Sequence, residues 1–220
     1  MSERRFGRFS LTDERDKNFQ CKPIVAHESV RSKMWFTPYA VDQGATEECV
    51  CFAGITLLQS APIENKSPLD HNLLYQDCRK IDGIDPKSKG TTIRALFKVL
   101  KDKNLISGYN WAFDVNTMAA WVLSHGPMIV GTNWYSNMMN LLRGFVMPGG
   151  DLMGGHSYVI KGVDLDIQSP DGSKGAFRIL NSKGREWGEN GCAFISFEAM
   201  TRLLSEAGEA GTVNSSNTPA

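Results

Sequence analysis

The chain has 220 residues, 41% of them hydrophobic, which suffices for one compact domain whose core can be divided around a cleft. Its 24 Lys and Arg residues balance 24 Asp and Glu residues, so no net charge attracts nucleic acid or a membrane surface. The charged amino terminus is not followed by an apolar run, so we expect a protein made in the cytosol without a signal peptide or membrane span.

The cysteines and histidines argue against a disulfide framework and against a metal cofactor. Five cysteines are an odd number, and no pair has the CxxC spacing of a zinc ligand set. The histidines likewise form no HExxH motif. We therefore expect free thiols and no bound metal or other cofactor.

Helical patterns occupy the first half of the chain. Residues 49–58 are apolar on nearly every face, which predicts a buried helix that begins at Cys49. Ser67 and Pro68 predict the start of a second helix, over about 68–80. A third helix follows residues 90–92 and ends near Lys103, and Asn116 is a candidate cap for a fourth that ends at Gly126.

The second half is rich in β-forming residues. Strands are predicted over residues 128–132, 156–163, 176–180 and 192–197, because runs of β-branched and aromatic residues alternate there with Gly, Asp and Pro. Helices followed by strands indicate an α+β fold with an antiparallel sheet. From Glu206 to the end, the Gly, Ala, Ser and Asn content predicts a flexible tail.

Three residues have the chemistry of a nucleophilic site. A cysteine at a helix amino terminus, as predicted for Cys49, is stabilised as thiolate by the helix dipole and the exposed N–H groups. His156 follows a glycine-rich run and can exchange a proton with that thiol. Asn181 ends a predicted strand and can orient the imidazole.

The segments around these residues resemble papain-like cysteine peptidases. Residues 43–52 match the pattern Gln-Gly-x-x-x-x-Cys-x-x-Phe, and residues 181–191 match Asn-Ser-x-Gly-x-x-Trp-Gly-x-x-Gly. Residues 155–162 are similar to the histidine strand of that family, and residues 126–130 to its Gly-Pro strand. The resemblance spans about residues 38–198.

The resemblance implies a fold and a set of site residues. It implies one catalytic domain over residues 1–205, with a helical lobe (about 44–110) packed against an antiparallel sheet or barrel lobe (about 111–205, with part of the amino terminus). The active site would lie in the cleft between them, with Cys49, His156 and Asn181 as the catalytic triad and Gln43 completing the oxyanion hole. The implied substrate-binding residues are Gly90, Thr91, Glu47, Glu48 and Gly155, and Trp187 would shield the histidine–asparagine pair.

The implied activity is hydrolysis of peptide bonds in a protein substrate through a thioester acyl-enzyme. Glu47 and Glu48 replace the Gly-Ser of the family, and Lys183 replaces a tryptophan. These departures leave two alternatives open: a papain-fold binding module of weak or no activity, and a Cys-His deamidase or transamidase. The two glutamates are also expected to favour basic substrates and to raise the pKa of Cys49.

The family context raises expectations about regulation and biology. Only about 48 residues precede Cys49, so we expect no inhibitory pro-segment of the length found in lysosomal relatives. Short chains of this kind resemble bacterial and phage members, some of which are effectors or toxins. An inhibitor or immunity protein is then an expected partner, and export by a specialised secretion system is an alternative to the cytosol.

Overall fold

The computed structural model describes residues 6–11, 13–22 and 30–215 and has helices on a large antiparallel sheet. The helices are α1 (Cys49–Gln59), α2 (His71–Ile81), α3 (Ile93–Asp102), α4 (Val115–Ser124) and α5 (Phe197–Ser205). The strands are β1 (Ser32–Met34), β2 (Ile106–Ala112), β3 (Met128–Tyr135), β4 (Leu152–Gln168), β5 (Lys174–Leu180), β6 (Cys192–Ser196) and β7 (Glu209–Ser215). Short 3-10 turns occur at Glu14–Phe19 and Ser136–Met139. The predicted α+β class is confirmed.

The sheet is open and antiparallel throughout. Its strands follow the order β2-β7-β3-β4-β5-β6, and β1 pairs with β4 outside that path. The sheet is not closed, so the barrel form of the predicted lobe is not what the chain adopts. β3 and β4 pair with Thr132 opposite His156, which places the histidine in the middle of the sheet.

Helices α1 and α3 lie where the sequence predicted them. The predictions for the starts of α2 and α4 were wrong by two or three residues, because an aspartate near each predicted cap is the better acceptor. Asp70 accepts hydrogen bonds from the backbone N–H groups of Asn72 and Leu73, at 2.8 and 3.0 Å. Asp114 accepts one from Thr117 at 2.8 Å. No helix within the described ranges is long and apolar enough to cross a bilayer.

The carboxyl-terminal segment is ordered further than predicted. The expected flexible tail from Glu206 is wrong for Glu209–Ser215, which forms β7 and pairs with β2 and β3. Ala210 and Thr212 are buried there, and the Thr212 hydroxyl donates to the carbonyl of Pro127. Residues 216–220 of the predicted tail lie outside the described residues.

Two clusters of buried apolar side chains meet at the site. One joins α1, α2 and α3 to the faces of β2 and β7, and includes Leu57, Phe97 and Trp111. The other fills the space between the sheet, α4 and α5, and includes Trp134 and Phe177. Helix α1 contributes Cys49 to the first cluster and packs against β3 and β4.

A buried ion pair holds the loop between α2 and α3. The Asp82 carboxylate accepts from the Arg79 guanidinium at 2.8 Å and from the Thr91 hydroxyl at 2.9 Å. Arg79 also donates to the carbonyl of Gly90 at 3.0 Å. These bonds fix Gly90 and Thr91 at the edge of the helical layer.

Asp82→Ala should therefore lower the free energy of unfolding by about 3 kcal/mol, because the part-buried Arg79 guanidinium and the buried Thr91 hydroxyl both lose the carboxylate that binds them. The measurement is urea unfolding followed by circular dichroism. Asp77→Ala is the matched control on α2, where solvent-exposed lysines 80 and 103 bind the carboxylate. It should cost less than about 1 kcal/mol, and equal losses in the two variants would contradict this account.

Candidate active site

Cys49 is the first residue of α1 and has no solvent-exposed surface. Its helix begins there because the Glu48 carbonyl accepts from the backbone N–H groups of Cys51 and Phe52. The backbone N–H of Ser157, the residue after His156, hydrogen-bonds the Cys49 sulfur. The packing of α1 on β4 thus brings the candidate nucleophile next to the candidate acid–base residue.

His156 and Asn181 form a buried pair across two neighbouring strands. The Nε2 atom of His156 lies 2.8 Å from Oδ1 of Asn181, the residue immediately after β5. The same oxygen accepts from the Ser182 backbone N–H at 2.8 Å, which fixes the amide orientation. His156 is fully buried and Asn181 is 2% exposed. An asparagine oxygen in this place holds Nε2 as the protonated nitrogen and leaves Nδ1 for proton exchange.

Gln43 lies in a segment that pairs with the residues following Asn181. Its backbone N–H donates to the Ser182 carbonyl at 2.9 Å, and its side-chain oxygen accepts from the Ser182 hydroxyl at 2.5 Å. Its amide nitrogen donates to the carbonyl of Thr46 at 2.9 Å. The side chain is therefore held in one orientation, six residues before Cys49 in the segment that leads into α1.

Trp134 is a neighbour of His156 that the sequence reasoning missed. Its ring meets the imidazole edge-on at 4.9 Å, and the ring of Trp187 lies 6.1 Å from Trp134. Both indoles are buried. Trp187, predicted to shield the histidine–asparagine pair, thus belongs to the same aromatic group as the ring that contacts His156. No local pattern in the sequence marks Trp134, which lies on the strand that pairs with the strand of the histidine.

Residues 6–9, the N-terminal segment, lie across these groups. The backbone N–H of Arg8 donates to the carbonyl of Gly155 at 2.9 Å. Thr91 donates to the carbonyl of Gly7 at 2.8 Å and accepts from Phe9 at 2.9 Å. Gly155 and Thr91, both predicted to bind substrate, therefore bind the chain's own backbone. The sequence analysis expected no pro-segment of the length found in lysosomal relatives and did not predict this contact of residues 7–9 with the cleft.

The backbone of the N-terminal segment lies in direct contact with the backbone of residues 47 and 90. A Cβ atom on Gly7 would lie 1.9 Å from the Glu47 carbonyl oxygen, and one on Gly90 would lie 2.3 Å from the Gly7 carbonyl oxygen. The Phe6 ring meets the His156 imidazole edge-on at 5.3 Å. Glycine at positions 7 and 90 is what lets the two backbones touch.

Glu48, predicted to bind substrate, has its carboxylate directed to α2. Its carboxylate is buried and bonded to α2, 2.5 Å from Nδ1 of His71 and 3.1 Å from the amide nitrogen of Asn72. Its charge is thus satisfied by α2, and the main influences on the pKa of Cys49 come from other groups. Glu47 reaches the cleft through its backbone, which packs against Gly7.

Burial raises the pKa of the Cys49 thiol above its ordinary value. Hydrogen bonds from the backbone N–H groups of Gly7 and Ser157, and the positive charge of Lys183, act in the opposite direction. Lys183 is 1% exposed, and its ammonium lies 4.2 Å from the centre of the Phe6 ring and 5.5 Å from that of Trp134. With the N-terminal segment in place, the thiol form of Cys49 is favoured.

Gly7→Val should expose Cys49 and accelerate its reaction with iodoacetamide about tenfold. The added side chain collides with the Glu47 backbone at a cost of about 1–3 kcal/mol, and each 1.4 kcal/mol is a factor of ten. Since burial is the largest cause of the raised pKa, the pH profile of alkylation should also move to lower pH. Ser10→Ala, just after the N-terminal segment, is the control. An unchanged rate in Gly7→Val would contradict the docking of the N-terminal segment.

Lys183→Met should move the alkylation profile of Cys49 to higher pH, because the variant removes the cation that lowers the thiol pKa. Lys183→Arg keeps the charge and should leave the profile near that of the wild type. The measurement is the rate of thiol alkylation between pH 5 and 10, with mass spectrometry locating the label. Identical profiles for the Met and Arg variants would exclude this electrostatic contribution.

The chain is similar in sequence and in structure to known proteins. No family model matches the chain. A cathepsin B-like cysteine proteinase of Caenorhabditis elegans is 30% identical over 109 residues, 49% of this chain and about a quarter (26%) of that protein. Xylellain, a cysteine protease from Xylella fastidiosa, superposes with a TM-score of 0.73 at 20% identity over 98% of both chains.

The bromelain protease of Ananas comosus, solved in complex with the E64 inhibitor, has a TM-score of 0.63 at 18% identity. That match covers 84% of this chain and 98% of bromelain. The proteins similar to this chain in sequence and in structure are thus cysteine proteases. The chain has the fold of the papain-like cysteine proteases.

Proposed function

We propose that the chain is a cysteine endopeptidase in which Cys49, His156 and Asn181 act as a catalytic triad. The observation that carries this proposal is the buried 2.8 Å bond between His156 and Asn181, next to a cysteine at a helix amino terminus. A buried imidazole oriented by a neutral amide is suited to proton transfer and is costly to maintain for packing alone. The fold similarity to cysteine proteases supports the same activity.

The proposed reaction has two halves. Cys49 transfers its proton to His156, its sulfur bonds to the substrate carbonyl carbon, and His156 then protonates the leaving amine as the C–N bond breaks. A water molecule next attacks the thioester, His156 accepts its proton, and the C–S bond breaks to release the acid and restore the thiol. Gln43 and the Cys49 backbone N–H are the proposed donors to the oxyanion.

The substrate would take the place of the N-terminal segment. The backbone groups of Thr91 and Gly155 that bind residues 7–9 are suited to an extended peptide, so a protein or peptide is the proposed substrate. Because Cys49 has no exposed surface while that segment is in place, turnover requires the segment to leave the cleft.

The covered thiol also supports a second candidate, a binding module without turnover. A deamidase or transamidase with the same Cys-His chemistry is a third. Mass spectrometry of peptides from a treated lysate separates the three. Cleavage produces new termini, deamidation changes the mass by about one unit, and a binding module produces neither. The effector or toxin role, the immunity partner and the cellular location stay predictions.

Cys49→Ala should abolish cleavage, and His156→Ala should lower it roughly 10²–10⁴-fold, the usual contribution of acid–base catalysis. Asn181→Ala should be milder, since orientation contributes less than proton transfer. The measurement is kcat/KM for a cleaved peptide, with melting temperatures as a check on folding. Cys51→Ala, in the same helix, is the control and should retain activity. Equal small losses in all four variants would overturn the assignment of the triad, and no cleavage by the wild type would favour a binding module.

A further inference from the structure

The N-terminal segment places the Phe6 ring beside the imidazole of His156. The two rings meet edge-on, with their centres 5.3 Å apart. Gly7, the next residue, donates its backbone N–H to the Cys49 sulfur. The Phe6 side chain therefore lies on the histidine side of the sulfur.

The histidine side of the sulfur is where the leaving group of the proposed reaction departs. His156 protonates the leaving amine, so that nitrogen must come within hydrogen-bond distance of the imidazole. The nitrogen belongs to the residue that follows the cleaved bond, and the side chain of that residue would lie against His156 and its neighbours. Within the described part of the N-terminal segment, Phe6 is the residue whose side chain has this place.

A buried ammonium faces the Phe6 ring. Nζ of Lys183 lies 4.2 Å from the ring centre, within the distance at which a cation is attracted to an aromatic face. The same ammonium lies 5.5 Å from the centre of the Trp134 ring, and Lys183 is 1% exposed. Such contacts are stronger where water is excluded. Lys183 stands where the family pattern has a tryptophan, so this cation is a feature of the present chain.

A glycine makes room for the ring. A Cβ atom on Gly154 would lie 3.0 Å from Cβ of Phe6 and 3.7 Å from its Cγ. Gly154 pairs with Trp134 across β3 and β4, and His156 lies two residues further along β4. These strands and Lys183 form the space around the ring, which we call the ring site. Because the ring site is built from the sheet and from residue 183, it persists when the N-terminal segment leaves.

We propose that the ring site binds an aromatic side chain of the substrate, on the residue that follows the cleaved bond, and that Lys183 selects it. The proposal rests on the peptidase function proposed above and deepens it. A substrate ring takes over the contacts of Phe6 with Lys183 and His156. An aromatic face attracts the ammonium through its quadrupole, whereas an aliphatic side chain of the same size offers contact area alone. Aromatic residues are therefore preferred over aliphatic ones.

The test compares two peptides that differ only in phenylalanine or cyclohexylalanine at that position. Cyclohexylalanine has nearly the same shape without the π electrons, so the ratio of the two kcat/KM values isolates the interaction with Lys183. In the full-length wild type we expect phenylalanine to be preferred about threefold to thirtyfold, the range of a cation–π contact. In Lys183→Met the ratio should fall to one or below, whatever the effect of this variant on the overall rate.

Lys33→Met is the matched control, because Nζ of Lys33 lies 4.6 Å from the centre of the Trp35 ring, a cation–π contact on β1. It should keep the phenylalanine preference. Equal cleavage of both peptides by the wild type, or a preference that persists in Lys183→Met, would overturn the proposal. Faster cleavage of a third peptide with glutamate at that position would also overturn it, because the ammonium would then select a carboxylate.

A binding measurement separates this proposal from the peptidase function. Fluorescence polarisation of the same labelled peptides on full-length Cys49→Ala should give tighter binding of the phenylalanine peptide, and Lys183→Met in that background should remove the difference. The N-terminal segment competes with both peptides alike, so it leaves the ratio of the two affinities unchanged. Such a difference without any cleavage by the wild type would count against the peptidase alone. Equal binding of both peptides, or binding of neither, would count against the ring site.

Discussion

The burial of Cys49 at the first turn of α1, against the strand that carries His156, is the constraint on which the site depends. A polar group removed from water must find partners within the protein or lose several kcal/mol. The chain meets that demand with side chains and backbone from both layers. Asn181 satisfies His156, Ser182 satisfies Gln43, and Lys183 supplies charge beside the sulfur. Three consecutive residues, 181–183, thus each interact with a different residue of the site: the histidine, the glutamine and the cysteine.

The parts of the fold that the sequence predicted are those with local signals. Helices α1 and α3 have apolar patterns that are compatible only with a helix, and strands β3 to β6 have runs of β-branched residues. β2 and β7 were missed because Gly108 and Gly211 interrupt their patterns, and their stability comes from pairing with each other. The helix caps were misplaced where several capping residues stand within one turn, as around Asp70, so that local propensity does not choose between them.

The residues of the candidate site likewise fall into those that lie in sequence motifs and those whose contacts only the structure shows. Cys49, His156, Asn181 and Gln43 lie in motifs whose spacing is visible along the chain, and the structure brings the histidine and asparagine into contact. The docking of Arg8 on Glu209 and the contact of Trp134 with His156 join distant parts of the chain without a pattern in either. Glu48 shows the opposite case, because its position beside Cys49 suggested a role in the cleft while its carboxylate is hydrogen-bonded to α2.

The N-terminal segment occupies backbone groups of Thr91 and Gly155 that the proposed function assigns to the substrate. The Gly7 carbonyl oxygen accepts from Thr91, so it is engaged on the side of the helical layer, while the Gly7 N–H is what meets the Cys49 sulfur. A thiolate attacks a carbonyl carbon whose oxygen lies among oxyanion donors, and this arrangement offers it a donor instead. Glycine at position 7 permits the contact, since a side chain there would strike the Glu47 backbone. Under the proposed function, a substrate bound by the same groups would have to turn its carbonyl toward Cys49.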